Sequence, residues 1–207
     1  LAPTRTVVVV GPDMEAVTEA VSPYPTIVQT DQAGTGDAVK TGICILDGFS
    51  SGTVLVMFGG DPLITTGTLR RMVTAREAGA AVVVLGFRAG DPTGYGRLVL
   101  DDQGTLQAIV EDKDASENER AIDLCNAGVM AIDAARLSGL LARIGNENAK
   151  GEYYLTDIIA IARGEGVSAA VVEADEAELL GINSRSDLAG AEAYWQRERR
   201  ALMMDNG

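Results

Sequence analysis

The chain has 207 residues, a hydrophobic fraction of 46% and a mean hydropathy of +0.10, which fit one soluble globular unit with a sizeable core. Its formal charge of -13, from 30 acids against 17 bases, repels polyanions and argues against nucleic acid as a partner. There is no histidine, so His-based triads, His general bases and His-ligated zinc are excluded.

Apolar runs and helical patches alternate along the chain. "TVVVV" (6–10) is a β-branched strand, followed by a helix over 14–21 that Asp13 would cap. "PTIVQ" is a second strand, and "GTGDAVKTGICIL" opens a helix behind a glycine pair. "TVLVMF" is the third strand, 65–78 a helix with its basic residues on one face, and "AAVVVLGF" the fourth strand. These strands are apolar on consecutive residues, as expected of parallel strands covered on both faces. A hairpin follows: Arg97–Leu100, a turn over 101–104, then Thr105–Glu111. Leu124–Ile132 is another strand, after which Asp133 caps a helix to Ile144. A helix over 153–163, the strand "VSAAVVE" and a charged helix from Asp187 complete the chain. The economical architecture is one α/β, Rossmann-like sheet, mainly parallel, with an inserted hairpin.

No run approaches the roughly 18 apolar residues of a membrane span. The opening "LAPTRT" lacks the basic start and long apolar centre of a secretory signal. Cys44 and Cys125 lie in apolar surroundings without metal-ligand spacing, so both are expected as buried free thiols in a reducing cytoplasm, with one disulfide as the alternative.

Several short stretches carry polar groups suited to a ligand. Gly34, Thr35 and Gly36 precede a helix whose first amides attract anions, and Gln29 and Gln32 offer amides able to read a base edge. On local evidence a capped helix start is the commoner reading. "FRAGDPTGYGRL" places three glycines in a loop before a strand, where close ligand approach and positive φ are both uses of glycine. Glu111 ends a strand beside Asp112, Lys113 and Asp114, a run that is equally a solvated charge cluster. Asn126 lies in an apolar strand, where its amide needs a partner from the backbone or from a ligand hydroxyl. Asn183 precedes a helix that Ser184 or Ser186 can cap. In "VLVMFGGDPLI", Asp61 is either a metal ligand at a strand exit or a turn residue among Gly and Pro. The first strand leads into "GPDMEAV", a poor phosphate cradle with one glycine and no basic residue.

Taken in order, "QTDQAGTG", "GDPLI", "DPTGYGRLV", "IVEDKDA", "CNAGVMAID", "NAKGEYYLTDII" and "LLGINSRSDL" resemble the uridyltransferase domain of bacterial bifunctional N-acetylglucosamine-1-phosphate uridyltransferase/glucosamine-1-phosphate acetyltransferase. The resemblance spans essentially the whole chain. It implies a nucleotide-sugar variant of the Rossmann-like sheet in the cytoplasm, serving cell-envelope precursor synthesis. It also implies transfer from UTP to N-acetylglucosamine 1-phosphate, giving UDP-N-acetylglucosamine and pyrophosphate with Mg2+. By the same resemblance Gln29 reads uracil, and Gly34 and Thr35 lie along the nucleotide. The Gly96 amide, Glu111 and Asn126 hold the sugar and its N-acetyl group, and Asn183 helps to ligate the metal.

Three departures accompany it. The family's "LAAGxGTRM"-type loop and the "PK" lysine after it have no counterpart here, so impaired turnover is expected. The C-terminal left-handed β-helix, with the acetyltransferase and the trimer expected of a full-length parent, is absent as well. The family strand-end motif Tyr-Gly-Asp-x-Pro-Leu here runs Phe58, Gly59, Gly60, Asp61, Pro62, Leu63, so the metal position is Gly60 and the acid is one residue late. A bulge at Gly59 and Gly60, both on the substrate path, would return Asp61 to the metal. The expected organisation is an incomplete nucleotidyltransferase unit over 1–185 and a linker helix over 186–207. The alternative is a non-catalytic nucleotide-sugar-binding or regulatory domain of the same fold.

Overall fold

The computed structural model describes residues 1–46, 48–148, 150–205 and 207. Its centre is β4 (Val82–Arg88), whose side chains are buried on both faces. Val82 and Val84 pack with α5 (Ala134–Ala142) and α6 (Ile158–Gly164) through Leu137, Leu141, Ile158 and Ile159. Val83, Leu85 and Phe87 pack on the other face with Met72 of α3 (Thr66–Glu77) and with Leu179. Each such side chain contributes about 1.5–3 kcal/mol by burial. The consecutive apolar run in the sequence is thus a strand sandwiched between helical layers.

The other strands of this sheet are β3 (Thr53–Val56), β5 (Arg97–Leu100), β6 (Leu106–Val110), β7 (Leu124–Asp133) and β8 (Ala169–Glu173). The order is β6-β5-β7-β4-β8, with β3 also paired to β7. β3, β4, β5 and β8 run one way, and β6 and β7 run against them. The α/β architecture with an inserted hairpin is as the sequence implies, and most strands share one direction. The pairing is nevertheless mixed, because β7 inserts between β3 and β4 and is antiparallel to both. β1 (Val8–Val10) and β2 (Thr26–Val28) form a separate parallel pair. α1 (Glu15–Ala20) connects them with no buried residue, and α2 (Thr35–Ile43) leads back to the main sheet.

Several local expectations need correction. Asp13 adopts φ 59° and does not cap α1, whose N-cap is Met14 without a side-chain bond. The helix expected over 153–163 starts late: a 3-10 turn spans Leu155–Asp157 and α6 begins at Ile158. The cause is that the Tyr153 N–H donates to Ala33 and its carbonyl accepts from Gly36, which holds it out of helical bonding. Both cysteines are free, but Cys44 is exposed and only Cys125 is buried. Asp133 does cap α5, accepting from the Ala135 N–H at 2.9 Å. α4 (Glu117–Arg120) is set by a Ser116–Glu119 capping box. The final helix, α7 (Arg185–Asp205), buries only Ala191. Among the described residues no helix is long and apolar enough to cross a membrane.

Candidate active site

Gly96, Glu111 and Asn126 meet where β5 begins, β6 has just ended and β7 is near its start. The hairpin pairs Arg97 with Val110, which sets Gly96 against Glu111 just beyond the ladder. A Cβ built on Gly96 would lie 3.6 Å from both Glu111 carboxylate oxygens and 3.2 Å from an Ile109 methyl, so only glycine leaves that approach open. The Gly96 carbonyl accepts from the Asn126 N–H at 2.8 Å. The Asn126 Oδ1 accepts from the Gly128 N–H at 2.9 Å, a bond that does not use the two donors of its amide NH2 group. The backbone partner that a half-buried amide demands is therefore present, without exhausting the side chain.

Glu111 also lines a cavity of about 410 Å³ with Asp114, Asn148, Tyr154, Thr156 and Asp157. Burial raises the Glu111 carboxyl above its ordinary range; Asp114 and Asp157 push the same way, and Lys150 opposes them. Asp157 is raised as well, by burial. Tyr154 and Thr156 carry the hydroxyls here, and their positions were not legible as a site from sequence. "GEYYLTD" looks helical in pattern, whereas its tyrosines precede the helix. The polar pair spaced by two, ahead of an apolar helical run, was the available signal.

The second group, Gln29, Gly34 and Thr35, is assembled but largely committed to the protein itself. The Gln29 amide donates to Gly34 O at 3.0 Å and to Asp37 Oδ2 at 2.7 Å, so its carbonyl oxygen is the group left for a ligand. Gly34 takes φ 105°, and a Cβ there would meet Tyr153 O at 2.6 Å. The Gly36 N–H donates to Tyr153 O at 2.7 Å. Thr35 Oγ1 accepts from the Leu155 N–H at 3.0 Å. The α2 start is thus sealed by the 153–155 segment, and the expectation of free, anion-attracting amides fails at Gly36. Gln32, the other expected base reader, has φ 47° and sits against Gly11.

Asp61 and Asn183 are brought together. The Ile182 N–H donates to Gly60 O at 2.9 Å, tying the β3 exit to the segment before α7. A Cβ built on Gly181 would lie 3.4 Å from Asp61 Oδ1 and 3.8 Å from the Asn183 amide nitrogen. β3 ends at Val56, so the chain is in a turn rather than extended at 59–60, and strand alternation no longer governs where Asp61 points. Neither Gly59 nor Gly60 takes positive φ. Burial raises the Asp61 carboxyl. The Asn183 backbone is fixed by Asp187, whose carboxylate accepts from the Asn183 and Ser184 N–H groups at 3.0 and 2.8 Å. Ser184 caps in return, accepting from the Asp187 N–H, while Ser186 has no such role. Among the described residues no group of three or more acids or cysteines is arranged for a metal.

The sequence and the fold are both similar to those of known proteins. The nucleotidyl transferase family profile fits residues 16–196. The chain is 56% identical to the bifunctional protein GlmU of Rhodospirillum rubrum over its whole length. It is 54% identical to that of Paramagnetospirillum magneticum and 50% to that of Ruegeria sp.. In each case it spans 46% of the relative's length. The fold matches a putative glucose-1-phosphate thymidylyltransferase from Bacillus anthracis with TM-score 0.68 at 17% identity, over 90% of this chain and 74% of that one. It matches an apo UDP-glucose pyrophosphorylase with TM-score 0.69 at 13% identity, over 93% and 81% of the two chains. With this fold, these converging polar residues and this profile match, the chain belongs to the nucleotidyl transferase family.

Proposed function

We propose that this domain joins N-acetylglucosamine 1-phosphate to the uridylyl group of UTP, forming UDP-N-acetylglucosamine and pyrophosphate. The observation that carries this reading is the convergence of Gly96 and Asn126 on Glu111, which also lines a cavity with Tyr154 and Thr156. Carboxylate, amide and hydroxyls suit a polyhydroxylated, N-acylated sugar. Gln29 would accept from the uracil N–H through its remaining carbonyl oxygen, with Gly34 and Thr35 alongside the nucleotide. Gly59 and Gly60 would keep the β3 exit open to phosphate. A sugar-phosphate oxygen attacks the α-phosphorus in line, forming one P–O bond as the bond to the leaving pyrophosphate breaks. Positioning replaces a side-chain nucleophile.

Magnesium is the cation this reading calls for. It uses one or two carboxylates together with substrate phosphates and water; Asp61 would supply the carboxylate, and the Asn183 side chain, whose amide nitrogen lies beside the same Gly181, would have to turn its oxygen to the ion. When bound it would offset phosphate charge. The 1–185 unit would carry the chemistry, with the exposed helix beyond it as a linker.

A pyrophosphate-release assay with UTP, N-acetylglucosamine 1-phosphate and Mg2+ tests the proposal, which predicts release that needs all three. A non-catalytic nucleotide-sugar-binding domain is the rival, favoured by the internal commitment of Gln29, Thr35 and Gly36. Binding of UDP-N-acetylglucosamine that ignores Mg2+, with no pyrophosphate released, would establish that rival.

A further inference from the structure

We propose that Arg97 is a positioning residue that fixes the gap between the Gly96 backbone and the Glu111 carboxylate from the reverse face of the hairpin. The proposal rests on the reading of this site as the sugar-phosphate subsite. Arg97 is 2% exposed, one of two buried polar or charged residues among those described. It pairs with Val110 on one side and Cys125 on the other, in the middle of three strands. Burying a guanidinium costs several kcal/mol of desolvation, and an apolar residue of similar volume often serves stability as well or better. A geometric role accounts for its place there.

Its fork reaches two points. Nη2 donates to Asp112 Oδ1 at 3.0 Å and Nη1 donates to the Tyr95 carbonyl, while the buried Nε has no partner among the described residues. Gly96 lies between Tyr95 and Arg97, and Glu111 lies between Val110 and Asp112, so the clamp brackets both. Strand alternation places Arg97 on the face opposite Gly96 and Glu111. The far ends are anchored too. The Tyr95 ring meets Phe87 edge-on at 5.0 Å, and the Asp112 carbonyl accepts from Arg120 Nη2 at 3.3 Å. With Gly96 also held to Asn126, the opening above Glu111 has little slack. A lysine keeps the charge but loses the planar fork that spans both acceptors.

The test compares Arg97→Lys, Arg97→Gln and the pair Arg97→Met with Asp112→Asn, which removes the buried guanidinium and its half-buried carboxylate partner together. We expect each to raise the KM for N-acetylglucosamine 1-phosphate roughly tenfold or more while the KM for UTP changes by less than about twofold. The double variant should regain thermal stability relative to Arg97→Gln without regaining sugar-phosphate KM. A purely structural arginine would give the opposite: both KM values move together, or the double variant recovers the sugar-phosphate KM. A second readout needs no substrate. Carbon-13 NMR of the Glu111 carboxyl, faced by Asp114, Asp157 and Lys150, should show titration at lower pH in Arg97→Lys as the loosened loop admits water. An unchanged Glu111 titration overturns the positioning role. If the unaltered chain releases no pyrophosphate, the functional reading fails, whereas the titration still decides for or against the clamp.

Discussion

Glu111 and Gln29 stand on opposite terms with their surroundings. Glu111 directly follows a strand anchored by Leu98, Leu106 and Leu124, which are 1%, 0% and 3% exposed, and its carboxylate opens onto a cavity. Gln29 follows a two-stranded pair whose connecting helix buries nothing, and its amide hydrogens are already bonded to Gly34 and Asp37. One side is held in place by packing, which leaves its polar groups available. The other is held by hydrogen bonds to the 153–155 segment, which uses some of them up. Packing tolerates small changes in the glycines around it better than a backbone-to-backbone seal does, and the two sides can be set against each other by substitution.

The largest contrast is between Gly34 and Gly96. Gly34→Val combines a left-handed φ with a side chain forced to 2.6 Å from a backbone oxygen. Strain and overpacking together cost about 3 kcal/mol or more, which would lower the melting temperature by roughly 10 °C for a chain of this size. Gly96→Ala has no such φ, and its nearest contacts are 3.2 Å from a methyl and 3.6 Å from carboxylate oxygens. It should cost less than about 1 kcal/mol in stability while weakening sugar-phosphate binding. Thermal unfolding of both variants checks the order. Equal losses would erase the distinction between the two sides.

Asp61→Asn probes the junction between them. If Asp61 holds the proposed cation, removing its carboxylate should lower turnover by about 10- to 100-fold at limiting Mg2+ and shift the Mg2+ dependence to higher concentration. Pyrophosphate release measured across a Mg2+ series separates this from a folding defect, which added Mg2+ would not offset.

Thr35→Val sharpens the α2 side with a smaller effect. It leaves the Leu155 N–H without its acceptor at 3.0 Å, for a cost of about 1–2 kcal/mol. Faster hydrogen exchange confined to Leu155 and its neighbours in the 153–155 segment is the expected signature. Uniform acceleration across β4 would mean that the seal supports the whole fold instead.

What the sequence made legible follows the same division. The hairpin turn is local chemistry: Asp101 Oδ1 accepts from the Gln103 and Thr105 N–H groups, and Gly104 takes φ 79°. The Ser116–Glu119 box that starts α4 is also written in neighbouring residues, yet no helix was expected between the hairpin and the next strand. The insertion of β7 between β3 and β4 is not local, because nothing in "LCNAGVMAI" names its sheet neighbours. Gln29 could be recognised as an amide able to read a base edge, and Asn126 as an amide needing a partner. Which of their atoms remain for a ligand depends on Gly34, Asp37 and Gly128 in three dimensions. The nearness of Asp61 to Asn183 was expected only through the family resemblance; the residues alone do not give it, because it depends on a turn at 59–60 and a bond from Ile182 across more than a hundred residues of chain.

The smallest predicted effect concerns the packed side and has a definite sign. Burial and the neighbouring Asp114 and Asp157 raise the Glu111 carboxyl in the folded protein. In the unfolded chain it titrates near the ordinary glutamate value of about 4.3. The native state therefore binds the proton more tightly, and stability falls as pH rises through the window between the unfolded and folded values. Glu111→Gln removes that dependence. The variant should melt higher than the unaltered protein at pH 7, and the difference should vanish below about pH 4, where both states of the parent are protonated. Melting curves at a series of pH values between these limits provide the check. A variant that is less stable than the parent at neutral pH would mean that the ionised carboxylate is held by bonds it gains on folding. The hairpin side would then resemble the committed amide of Gln29, and the contrast between the two halves of the site would be lost.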